Sequence, residues 1–106
     1  MLENLFGDMQ GKQEEMKKKL AEVVVEAEVD GGSIMVKANA NREILDITIN
    51  PDKIDLADKE QLQDLMVIAV NQALEIAAER EAAEAQKMIN DMMPPGLGGL
   101  LGGFNQ

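Results

Sequence analysis

The chain has 106 residues and a formal net charge of −10, ten Lys and Arg standing against twenty Asp and Glu. That is enough for one modest domain whose surface repels polyanions over most of its area. It contains no His, Cys, Trp or Tyr, with Ser33 and Thr48 its only Ser and Thr, which removes disulfides, thiolate metal sites and most nucleophiles and general bases, and points away from an enzyme.

Phe occurs only at Phe6 and Phe104, so the core has to be aliphatic. The first eight residues lack the basic start and apolar run of a signal peptide, and no later stretch is apolar enough to span a bilayer. A cytoplasmic location and no membrane partner are the expectation.

Leu2, Phe6, Met9, Met16 and Leu20 recur at helical spacing, which predicts a first helix starting near Asn4 or Asp8, with Gly11 as its weak point. Its later turns carry Lys12, Lys17, Lys18 and Lys19 against Glu14 and Glu15, and cations late in a helix suit the macrodipole. The period then changes to two. Val23, Val25, Ala27 and Val29 alternate with Val24, Glu26, Glu28 and Asp30 as in a strand with one buried face. Gly31-Gly32 closes that strand. A second strand follows over Ile34-Met35-Val36-Lys37-Ala38, then a turn over Asn39-Ala40-Asn41-Arg42. In the third, Leu45, Ile47 and Ile49 share a face. Three strands joined by short turns make an antiparallel meander.

Asn50-Pro51-Asp52 breaks the sheet, and Asp58 with Gln61 three residues on marks the start of a capped second helix. Leu62, Leu65, Met66, Ala69, Ala73, Ile76 and Ala77 form one apolar face of it, while Val67, Ile68, Val70 and Leu74 make the other side apolar too. One small sheet cannot cover both sides, so a second copy of the chain is expected over the remainder, with Leu65, Ile68, Ala69, Val70, Asn71 and Ala73 at the dimer interface. Past Ala78 the helix turns polar and projects beyond the sheet. Pro94-Pro95-Gly96 stops it. The chain thus reads as an α+β domain over residues 1–93, ordered α-β-β-β-α and dimerising through sheet and long helix, followed by a flexible Gly/Pro-rich tail over residues 94–106.

These elements, with several short stretches, resemble the YbaB/EbfC family of bacterial nucleoid-associated proteins over nearly the whole chain. The resemblance rests on the Met/Gln/Lys-rich first helix, on Gly31-Gly32 ahead of Val36-Lys37, and on Ile47-Thr48-Ile49-Asn50-Pro51. It rests above all on Asp58-Lys59-Glu60-x-Leu62-x-Asp64-Leu65 continuing to Ala69-Val70-Asn71-Gln72-Ala73. Asn50 stands where members commonly carry Asp, and Gln72 where an acidic residue often follows Asn. The resemblance implies a homodimer whose helices project as arms, DNA as partner, and a place in the nucleoid.

With that resemblance, Lys12, Lys17, Lys18 and Lys19 become the first candidates for phosphate contact, doubled by dimer symmetry. Without it they would be a solvated helix face balanced by glutamates. Arg80 and Lys87 on the projecting helix are secondary candidates, Arg80 being placed for an ordinary helical ion pair with Glu84. Lys37 and Arg42 fit sheet protection better than DNA contact. Asp52, Asp55, Asp58, Glu60 and Asp64 lack the ligand order of a calcium loop and suit capping, so no metal and no cofactor are expected. Apolar Met92, Met93, Leu97, Leu100, Leu101 and Phe104 invite docking on a protein partner or on the dimer itself. The leading expectation is a homodimer binding double-stranded DNA with little sequence preference through its basic helix faces. The rival is a protein-interaction adaptor in replication or recombination.

Overall fold

Residues 2–92 are described by a computed structural model, in the order α1 (Leu2–Ala21), β1 (Val24–Val29), a 3-10 turn (Asp30–Gly32), β2 (Ile34–Asn39), β3 (Ile44–Ile49) and α2 (Lys59–Met92). This is the α-β-β-β-α order expected from the sequence. The expectations for the tail, residues 94–106, and for Met93 lie outside the described residues. α1 begins at Leu2, earlier than Asn4 or Asp8, and passes through Gly11 unbroken. An interior glycine costs only about 1 kcal/mol relative to alanine, too little to interrupt a helix of this length.

The strands pair antiparallel in the order β1-β2-β3. Val25 lies opposite Ala38, Ala27 opposite Val36 and Val29 opposite Ile34, so the alternation of β1 and β2 delivers one continuous apolar face. α2 lies across it. Ala69, Ala73 and Ala77 recur every fourth residue and have no exposed surface, because their small side chains let the helix backbone settle on the strands. With Val25, Ala27, Ile34, Val36, Ala38 and Ile54 they make up the aliphatic core.

β3 differs from the expected alternation. Ile49 lies opposite Ile34 and Ile47 opposite Val36, but a register shift then sets Ile44 opposite Ala38. Paired residues share a face, so Ile44, Ile47 and Ile49 turn toward the α2 side, and Leu45 is the extra residue of the bulge. α2 packs over β1 and β2 and barely reaches β3. Ile44 and Ile47 therefore remain 38% and 39% exposed.

Both turns are built by specific polar groups. In the first, Asp30, Gly31 and Gly32 take φ of 52°, 62° and 92°. At φ of 92° glycine is favoured at position 32, since other residues are strained there, whereas the nearest atom to an added Cβ is the carboxylate end of exposed Glu28, which can move aside. Buried Ser33 closes the turn by donating from Oγ to the Asp30 carbonyl at 2.7 Å. In the second, buried Asn39 accepts at Oδ1 from the N–H groups of Asn41 and Glu43 at 3.0 and 3.1 Å and donates from Nδ2 to Glu43 Oε1 at 3.0 Å.

Asn50 Oδ1 accepts from the Asp52 N–H at 3.0 Å, an Asx turn that an aspartate would make equally well. Asp58 caps α2 by accepting the Gln61 N–H at 3.1 Å. A helix of 34 residues is about 51 Å long at 1.5 Å per residue, whereas strands of six residues span about 20 Å. α2 must run far past the sheet. The radius of gyration is accordingly 19.4 Å, with extents of 62 × 38 × 17 Å, against about 13 Å for a compact chain of this size.

Candidate nucleic-acid interface

The last turn of α1 is where this helix is fastened. Leu20 is buried, and the Ala40 N–H donates to the carbonyls of Leu20 and Val23 at 3.1 and 3.0 Å. Asn41 Nδ2 donates to the Lys17 carbonyl at 2.8 Å. The last four carbonyls of a helix have no partner within it; the second turn of the sheet serves that of Leu20 and also reaches the Lys17 carbonyl about one turn earlier. Asn41 thus tethers the lysine-bearing helix to the sheet, a role its place in a turn-forming stretch did not reveal.

Lys12, Lys17, Lys18 and Lys19 are all exposed and have no ion-pair partner among the described residues. At roughly 100° per residue, Met9, Met16 and Leu20 share one face of α1. Lys12 and Lys19 flank that face on one side and Lys17 on the other, while Lys18 points away from it. The lysines therefore surround the second half of the helix rather than forming a single row.

Three of the other cations lie near carboxylates, whereas Lys53, Lys59 and Lys87 have no ion-pair partner among the described residues, Lys53 instead donating to the Gly31 carbonyl at 2.7 Å. Lys37 Nζ lies 3.6 Å from Glu26 Oε1 across the strands, Arg42 Nε 3.8 Å from Glu81 Oε1, and Arg80 Nη2 4.0 Å from Glu84 Oε1 one helical turn on. Around Lys37 the solvent face of the sheet carries exposed Glu26, Glu28 and Asp46, which repel a polyanion. Lys87 is exposed on α2, one residue before Met88. Met88 faces α1 across a groove of about 370 Å³, whose apolar lining also includes Met9, Met16 and Leu20, with Lys12 and Lys17 at its edges.

Residues 1–92 match the family model described as the YbaB/EbfC DNA-binding family. The chain belongs to this family. Among curated proteins it is similar to a nucleoid-associated protein of Clostridium novyi, 41% identical over 99 residues that cover 91% of this chain and 87% of the relative. A nucleoid-associated protein of Chloroflexus aurantiacus is 38% identical over 96 residues, covering 91% and 88%. Among solved structures, the crystal structure of an uncharacterized protein from Helicobacter pylori matches with a TM-score of 0.69 at 24% identity, over 83% of this chain and 92% of that one. That likeness concerns the fold. The YbaB/EbfC family is one of DNA-binding proteins, not of enzymes, in keeping with the thin catalytic inventory of this member.

The six residues expected at a dimer interface are not all on one side of α2. Ala69 and Ala73 are fully buried against the chain's own sheet, Leu65 and Val70 are half-buried, and Ile68 and Asn71 are exposed. Val67 and Ile68 stand 60% and 54% exposed, and the bare residues of β3 add Ile44 and Ile47. The sequence sets Ile47 on a shared face with Leu45 and Ile49 and does not single out Ile44, and nothing in an alternating run shows how far a helix reaches across a sheet. The aspartates after β3 serve the backbone. Asp55 Oδ1 accepts the Ala57 N–H at 2.9 Å, as Asp58 accepts that of Gln61. Among the described residues no three carboxylates converge as metal ligands do, and no described helix is long and apolar enough to cross a membrane.

Proposed function

We propose that this YbaB/EbfC family member is a homodimeric nucleoid-associated protein that grips the backbone of double-stranded DNA, with little sequence preference, through the lysines of α1. The observation that carries the reading is the gathering of Lys12, Lys17, Lys18 and Lys19 on the second half of one helix, all exposed and without carboxylate partners among the described residues, whereas the other unpaired cations, Lys53, Lys59 and Lys87, are scattered. Lysine ammonium groups are point charges that neutralise phosphates and release counterions without reading bases. Arg80, held near Glu84, contributes less. Lys87 adds a charge from the projecting part of α2.

Dimerisation is supported by the apolar surface that one copy leaves bare. Ile44 and Ile47 on β3 and Val67 and Ile68 on α2 are each about half exposed, so covering them gains roughly 1 kcal/mol apiece. A two-fold partner covers them and brings a second set of α1 lysines; the net negative charge doubles with it, so attraction to DNA rests on these local patches. The names of the relatives support a place in the nucleoid.

The test is titration of fluorescent duplex DNA with purified protein at several salt concentrations. Affinity is expected to fall linearly with salt on logarithmic axes. The variant K17Q/K18Q/K19Q is expected to lower the slope by about one unit for each phosphate contact removed. Absence of binding at low salt, or a slope unchanged in the variant, overturns the assignment.

A further inference from the structure

The groove between α1 and the outer part of α2 has a floor and walls of Met9, Met16, Leu20 and Met88, and Met9 is 53% exposed. Phosphate gains nothing from such a lining. Only Lys12 and Lys17 at the edges offer charge, whereas thioethers adapt their shape to an inserted apolar chain. We propose that this groove seats residues 97–104 of the same chain.

Three features of the molecule select that occupant. Its chemistry fits, because Leu97, Leu100, Leu101 and Phe104 stand among glycines, and residues 93–106 include no charged side chain. Its place in the chain fits as well. The described part of α2 reaches Met92, one turn beyond the Met88 wall, and the Pro94-Pro95-Gly96 sequence favours a change of direction after it. Its length fits too. From Met92 to Phe104 the chain can span about 40 Å, while the groove wall from Met9 to Leu20 measures about 17 Å along the helix. A tethered segment also meets its site at an effective concentration on the order of millimolar, so a few apolar contacts suffice to hold it.

The chain has no cysteine, so Asn105→Cys in the full-length protein accepts a nitroxide at one position. With methionine methyls labelled in the same chain, the Met9 and Met16 signals are expected to be lost and those of Met35 and Met66 retained. Leu100→Asp together with Leu101→Asp is expected to restore the lost signals. Uniform retention of all methyl signals overturns the proposal, as does a loss that the two aspartates do not reverse. So does a loss seen only when nitroxide and methyl label are on different chains, which would assign the groove to the tail of a second copy.

Discussion

Asn39 carries more of this fold than its small side chain implies. It is almost fully buried, its Oδ1 accepts two backbone N–H groups and its Nδ2 donates to Glu43. The turn it closes presents the Ala40 N–H and the Asn41 amide to the end of α1. Asn39→Ala leaves those N–H groups without a protein acceptor in a partly buried place, and is expected to cost about 1–2 kcal/mol, read as a lower urea midpoint. Amide exchange in the last turn of α1 is expected to quicken in the same variant. Asn39→Asp keeps the acceptor but turns a carboxylate toward Glu43, so it is expected to recover only part of the loss. The sequence marks Asn39-Ala40-Asn41-Arg42 as a turn, because these residues tolerate its geometry. It does not reveal that Asn41 reaches back 24 positions to Lys17, since a contact between distant residues has no local periodicity.

At the scale of elements, periodicity told helix from strand but could not settle phase. Ile44 and Leu45 are adjacent apolar residues, so the alternation of β3 can be counted from either, and the bulge opposite Lys37 and Ala38 decides for Ile44. α2 poses the same problem. A helix apolar nearly all round gives no preferred side, and the packing of small residues resolves it by setting Ala69, Ala73 and Ala77 on the sheet. That close approach makes Ala73 intolerant of size. Ala73→Leu is expected to force α2 away from β1 and β2 at a cost of about 1–3 kcal/mol, measured by thermal or urea unfolding. Ala83→Leu, on the exposed outer part of the same helix, is expected to change stability by less than about 0.5 kcal/mol. Equal costs at the two positions would contradict the packing described.

For the whole molecule, one copy is an elongated object. Its sheet is covered over two strands of three, its long helix leaves Val67 and Ile68 exposed among polar residues away from the sheet, and four of its ten cations lie on the second half of α1. In the proposed dimer a second copy over β3 and the outer face of α2 would join two lysine-bearing helices into one binder, and linking two weak sites raises affinity by about 10²-fold or more without any new contact. Ile47→Asp with Ile68→Asp separates these effects, because both side chains are substantially exposed in the single chain and a charge there leaves its own core intact. Sedimentation is expected to give twice the 11.6 kDa chain mass for the parent protein and the single-chain mass for the variant, with unchanged circular dichroism. DNA affinity at low salt should then drop by about 10²-fold, because each lysine set binds alone. A variant that still sediments at twice the chain mass would move the interface elsewhere on the surface, and a monomeric variant with undiminished affinity would break the link between pairing and DNA binding.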